Sequence, residues 1–156
     1  NFFKTAALSG SVLAVNGLTG CQTESQPKEK ERDFTSFDFN EITVSDLQQK
    51  MKSGELSSVE ICQKYLDRIT NVDPILKAVI ELNPDALDIA AQLDTERKSG
   101  KVRGALHGIP IMIKDNIDTG DKMQTTAGSL ALKGNIAEKD CFVVRKLRAA
   151  GAGLLG

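Results

Sequence analysis

The sequence predicts an α/β domain, a β-sheet flanked by helices, over residues 34–156, and three observations carry that expectation. Apolar residues recur at helical spacing in several stretches, short runs rich in branched residues stand between them, and glycine or proline punctuates the joins. With 156 residues, 40% of them hydrophobic and 26% charged, the chain has the proportions of one globular domain. Its 20 basic and 21 acidic side chains leave a net charge of −1, so there is no electrostatic ground for a nucleic-acid partner. Nor does any apolar run reach the roughly 18 residues that suggest a membrane-spanning helix. Zero Trp and one Tyr argue against an aromatic-platform binding module.

Residues 1–20 are of different character. After Lys4, residues 5–15 form a weakly apolar stretch of signal-peptide length, and Leu18-Thr19-Gly20-Cys21 resembles a bacterial lipobox, where small residues precede a cysteine that receives a lipid. The expectation is a lipoprotein-type signal peptide over 1–20, lipidation of Cys21, and export to the bacterial cell envelope, held there by a lipid anchor. The plainer alternative is a poorly ordered start with an incidental cysteine. Because the first residue is Asn1 rather than Met, further residues are expected upstream. Residues 21–33 are polar and charged without apolar period, which predicts a disordered tether.

The elements follow in order. Leu47 and Met51, one turn apart and followed by Gly54, predict a short helix. Ser57 and Glu60 form a capping box that opens a second helix, with Cys62, Tyr65, Leu66 and Ile69 as its buried stripe and Asp73-Pro74 as its break. Residues 75–82 (ILKAVIEL) read as a strand. Asn83-Pro84 predicts the start of a third helix running toward Lys98 and ending at Gly100. A strand is expected over 109–114, then loops with short strands through 118–139. Asp140 is placed to cap a last helix with Val143, Val144, Leu147 and Ala150 inward, stopped by Gly151. The pattern Gly151-Ala152-Gly153-Leu154-Leu155-Gly156 matches the dinucleotide fingerprint in letters only. It follows a helix rather than a strand, so it reads as a helix stop and the start of a further strand. That strand is cut short, so the chain is expected to be the N-terminal portion of a longer domain.

Chemistry-bearing residues are few. Cys21, Cys62 and Cys141 make an odd count in no metal-ligand spacing; Cys62 is expected as a buried thiol, and a Cys62–Cys141 disulfide is open if the protein is exported. His107 is the sole histidine, no G-x-S-x-G elbow accompanies it, and it is expected to pack or hydrogen-bond in its loop. One histidine and no C-x-x-C pair argue against a metal site. Lys114 is the candidate that calls for explanation, because it closes the apolar run Ile109-Pro110-Ile111-Met112-Ile113 and lysine is rarely buried. On its own it would read as a strand-end lysine reaching water, with Asp115 as a surface partner.

The surrounding residues change that reading. Leu106-His107-Gly108-Ile109-Pro110-Ile111-Met112-Ile113-Lys114-Asp115-Asn116-Ile117-Asp118, then Thr125-Thr126-Ala127-Gly128-Ser129, Leu130-Ala131-Leu132, Asp140 and residues 144–152, closely resemble the amidase signature family. The likeness runs from about Ile42 to Gly156, is dense from Gly104 onward, and leans toward the peptide-amidase branch. It implies the N-terminal part of the amidase signature fold, a mixed β-sheet flanked by helices, here truncated. It also implies a small amide or peptide-amide substrate, no cofactor, and a triad of a nucleophilic serine, a second serine held through a cis peptide, and a lysine. Lys114 matches the lysine. The resemblance puts both serines in a Gly/Ser-rich stretch beyond Gly156, and Ser129 lies in the wrong motif to be either one, so the isolated chain is expected to be inactive.

A lysine that accepts a proton must be uncharged. At a pKa near 10.4 only about one lysine in 2,500 is uncharged at pH 7, and burial is the standard way to change that. The apolar strand is therefore expected to desolvate the Lys114 amine, with Asp115 turned away by strand alternation. Two alternatives stay open. One is a component of a tRNA-dependent amidotransferase of the same family, whose cytoplasmic work conflicts with the leader. The other is a non-catalytic surface lipoprotein on an amidase scaffold.

Overall fold

The computed structural model describes residues 36–156; the expected leader, Cys21 and the tether through residue 33 lie outside the described residues. Helix α1 (Val44–Ser53) opens on a capping box, with the Asp46 N–H donating to the Thr43 hydroxyl (3.1 Å) and the Thr43 N–H to the Asp46 carboxylate (3.3 Å). It buries Leu47 and Met51 as expected and ends at Gly54, whose φ of 79° suits a residue without a Cβ. Helix α2 (Ser58–Leu76) opens on the expected box of Ser57 and Glu60. Every N–H of its first turn has a partner. Glu60 donates to the Ser57 hydroxyl (3.1 Å), while Ser58 and Val59 donate to the two carboxylate oxygens of Asp94 (2.7 and 3.1 Å). Asp94 sits on α3 (Ala86–Lys98), so the same bonds dock α3 against the start of α2.

The expected strand over 75–82 does not form. Helix α2 passes through Pro74 and ends at Leu76. Proline so close to a helix end forfeits one backbone bond, and Asp73 secures the exit. Its carbonyl accepts the Lys77 N–H (2.7 Å), and its carboxylate accepts those of Ala78 and Val79 (2.7 and 3.0 Å). Residues 77–82 then form no ladder: Lys77 turns the chain with a left-handed φ of 51°, and the residues after it stay irregular. Asn83 ties the end of this segment down, donating its backbone N–H to the Leu155 carbonyl (2.9 Å) and its side-chain amide to that of Leu154 (3.0 Å). Asn83 also accepts the Asp85 N–H, but α3 itself starts later than expected, at Ala86.

Strands β1 (Pro110–Ile111) and β2 (Gly153–Leu154) pair in parallel, with Pro110 opposite Gly153 and Ile111 opposite Leu154. Backbone bonds extend the pairing at both ends, from the Gly153 N–H to the Ile109 carbonyl (3.0 Å) and from Ile113 to Gly156 (3.0 Å). The expected run over 109–114 is thus extended, although its ladder is short. The connection carries a short 3-10 turn (Leu130–Leu132) and helix α4 (Phe142–Ala149). Helices cover β2 on two sides: Leu155 packs with Cys62, Ala86 and Ala90 of α2 and α3, and Leu154 packs with Met123 and with Val144 of α4. A third cluster joins Phe39, Leu47, Met51, Ile61 and Ile109.

Two further expectations need correction. Asp140 does not cap α4, which starts one residue past Cys141. Its carboxylate instead takes the Gly120 N–H (2.7 Å) and the Arg148 guanidinium. Val143 faces outward at 46% exposed, whereas Val144 is fully buried. The glycine-rich end does behave as a helix stop and strand start. Gly151 has a φ of 84°, and a Cβ there would lie 2.7 Å from Nδ1 of His107.

Candidate active site

The site is assembled at the carboxyl end of β1. Exposure alternates from Ile111 to Asp118, so Ile111 and Ile113 turn into the core while Met112 and Lys114 stand on the open side. There Lys114 lines a cleft of about 150 Å³. Its walls come from four segments: residues 78–81 of the stretch after α2, residues 112–115 of the strand end, Ile117, Thr119, Met123 and Gln124 of the following loop, and Gly156. One side-chain bond and one close backbone approach lock the walls together. The Gln124 N–H donates to the Glu81 carboxylate (2.8 Å), and a Cβ on Gly156 would come within 2.5 Å of the Glu81 carbonyl, so the chain there approaches as only glycine permits.

Lys114 makes no ion pair among the described residues, and its side chain is exposed. The expected dry amine is therefore not what this chain builds. Alternation puts Lys114 on the face it shares with Met112, which is 42% exposed, and the neighbouring wall residue Ile80 is 72% exposed. Asp115 is turned away, as alternation requires. Its carboxylate accepts the Thr126 N–H (2.9 Å), the Thr126 hydroxyl and the Gly128 N–H (3.3 Å), and its carbonyl accepts the Ala127 N–H (3.0 Å). These bonds, led by the one from the Thr126 hydroxyl, hold the Asp115 carboxyl below the usual carboxylate range.

The remaining candidates fall elsewhere. His107 is fully buried with both ring nitrogens engaged: Nε2 lies 2.9 Å from the Leu93 carbonyl, and Nδ1 accepts the Arg103 N–H (3.3 Å). Ser129 is exposed at the start of the 3-10 turn. Cys62 and Cys141 are both free, and burial pushes the Cys62 thiol up to about 11. No grouping of three metal-ligating side chains occurs among the described residues. Sequence reasoning missed Glu81 in the cleft wall and Asp121 behind it; neither stands in a motif that announces it.

An α/β layer with a lysine at the carboxyl end of a parallel strand is the placement typical of enzyme sites in such folds. The amidase family profile matches residues 60–156, and this chain belongs to that family, the amidase signature enzymes. Its fold superimposes on the peptide amidase of Stenotrophomonas maltophilia with a TM-score of 0.75 and 52% identity, over 78% of this chain and 25% of that one. An amidase family protein from Bacillus anthracis gives a TM-score of 0.70 at 41% identity, over 73% of this chain and 23% of that one. Among curated relatives, a Schizosaccharomyces pombe protein named as an amidase is 51% identical over 76% of this chain and 20% of its own length. A component of the glutamyl-tRNA(Gln) amidotransferase of Renibacterium salmoninarum is 45% identical over 74% of this chain and 22% of its own length. The chain thus spans about a fifth to a quarter of the length of these relatives.

Proposed function

We propose that this chain is the lysine-bearing part of an amidase that hydrolyses a carboxamide C–N bond, with Lys114 as the terminal proton acceptor of a serine–serine–lysine triad. The observation that carries this reading is the disposition of Lys114 and Asp115. Among the described residues the amine makes no ion pair in its cleft at the strand end, while the adjacent carboxylate is committed to Thr126 and Gly128. The two serines, and the segments that dry the amine, would come from the portion of the domain outside this chain.

The chemistry follows the logic of serine triads. The uncharged Lys114 amine takes the proton of the bridging serine, which takes that of the nucleophilic hydroxyl. The hydroxyl oxygen forms a bond to the amide carbon. When the intermediate collapses, the C–N bond breaks, the proton returns to the departing nitrogen, and ammonia or an amine leaves. Water then cleaves the acyl-serine ester by the same relay, releasing the acid. Similarity to the Stenotrophomonas maltophilia peptide amidase supports peptide amides as the substrate class.

The test is amide hydrolysis by the full-length gene product and by Lys114→Ala. Loss of about 10³-fold or more in kcat is expected for removal of a triad member, and undiminished turnover would refute the assignment. The likeness to the glutamyl-tRNA(Gln) amidotransferase component supports a second reading, ammonia transfer to charged tRNA; glutamine-dependent amidation of glutamyl-tRNA by the full-length product would establish it instead. For the leader, we propose lipidation of Cys21 and attachment to the cell envelope. Cys21→Ala should then move the protein from the membrane fraction to the soluble one.

A further inference from the structure

The cleft wall formed by residues 117–124 has no regular secondary structure, yet Thr119 is 2% exposed and Met123 4%. One carboxylate organises it. Asp121 Oδ1 accepts both the Thr119 hydroxyl (2.8 Å) and the Met123 N–H (2.9 Å), so the two cleft-lining residues are gathered around it. The other oxygen, Oδ2, is held by Arg148 at 2.5 Å. The same guanidinium turns its Nε to Asp140 at 3.0 Å, and Asp140 in turn accepts the Gly120 N–H at 2.7 Å. A Cβ on Gly120 would lie 2.8 Å from the Asp140 backbone nitrogen, so the loop is pressed directly against the entry to α4. Arg148 itself is fixed from behind, because its carbonyl accepts the Arg103 guanidinium (3.0 Å), which also pairs with Glu96 of α3.

We propose that Arg148 is a positioning residue for the Lys114 cleft. By bridging Asp121 and Asp140 it holds the Thr119–Met123 wall at the distance from Lys114 that the substrate acyl group requires. This rests on the amidase reading above. One planar fork with donors pointing to two acceptors suits the task, and an ammonium could satisfy only one of the pair at full strength. Without the cation, two carboxylates with side chains only 14% and 18% exposed would face each other uncompensated. Arg148 does not line the cleft, so its effect must pass through Asp121, and the wall it holds meets the substrate rather than the reacting proton.

The experiment compares the full-length protein with Arg148→Met, Arg148→Lys, Asp121→Asn and the double variant Arg148→Met/Asp121→Asn, using a peptide amide with a large apolar residue at its C-terminus. KM is expected to rise about tenfold in Arg148→Met and Asp121→Asn while kcat stays within about twofold. Arg148→Lys should recover part of the loss, and the double variant should be no worse than either single one, since the two act as a unit. Multiplied losses in the double variant, or an unchanged KM in Asp121→Asn and Arg148→Lys, would overturn the proposal even if Arg148→Met fails to fold. A decline in kcat alone that tracks the folded fraction would do the same. Loss of turnover in Lys114→Ala alongside a wild-type KM in the Arg148 variants would sink this inference and leave the amidase reading intact. Full turnover in Lys114→Ala would remove both.

Discussion

Replacing Asp94 by alanine should loosen the join between α2 and α3 more than any other single truncation of a polar side chain in the described fold. The carboxylate is 9% exposed and accepts two first-turn N–H groups of α2, at 2.7 and 3.1 Å. Hydrogen bonds to a charged group contribute about 1.5–3 kcal/mol each, and a carboxylate at a helix N-terminus adds about 0.3–1 kcal/mol. With the longer bond at the low end of its range, the loss comes to about 4 kcal/mol. Asp94→Asn keeps one acceptor but turns an amide N–H toward the other donor, so about 2 kcal/mol is expected. Urea unfolding of the full-length protein reads the total at constant m. Amide exchange of Ser58 and Val59 reads the place, since those two N–H groups should lose protection first. A change under about 1 kcal/mol in Asp94→Ala, or exchange that accelerates elsewhere but not at these two residues, would refute the assignment of Asp94 as the cap shared between the helices.

Three further outcomes can be checked. Gly151→Ala combines a left-handed backbone with a Cβ 2.7 Å from His107 Nδ1, and should lower stability by at least about 2 kcal/mol in denaturant titration. Native alkylation at pH 8 with peptide mapping should leave Cys62 unmodified, since burial pushes its thiol up to about 11, and it should become reactive only on unfolding. Because the Asp115 carboxyl is held below its usual range, its bonds to Thr126 and Gly128 contribute stability above that range and lose it as pH falls through the depressed value. Exchange protection of those two amides should therefore persist at pH 4 and disappear at lower pH, whereas Asp115→Asn should weaken it already at pH 6.

Much of the helical framework was legible because it is written locally. Ser57 and Glu60, and the Leu47–Met51 pair before Gly54, need only neighbours a turn away, and the structure places them as expected. The strand expected over 75–82 failed because branched residues serve a helix end or an irregular wall segment as well as a strand. What decided between them was the Asp73 carboxylate reaching forward to Ala78 and Val79. In the cleft, the strand-end position of Lys114 and the turn of Asp115 away from it could be read from motif and alternation. Its exposure could not, because that depends on which segments come to face it. Asp94 did leave a trace: it shares the buried face of α3 with Ala86, Ala90 and Leu93, and a charge on such a face calls for a partner. The Arg148 bridge left none, since its carboxylates come from loops joined only by the fold.

The parallel pair that leads to the cleft joins Pro110 to Gly153, far apart in sequence, and the bond that secures Ile113 comes from Gly156. On the ribosome, the stretch leading to Lys114 therefore emerges long before its mate. It waits as an unzipped apolar ribbon, the kind of segment that chaperones bind and that aggregates when synthesis stalls. Completion of the cleft beside Lys114 thus waits for translation of the segment through Gly156, and slow decoding there would prolong the interval in which the nascent polypeptide is most adhesive.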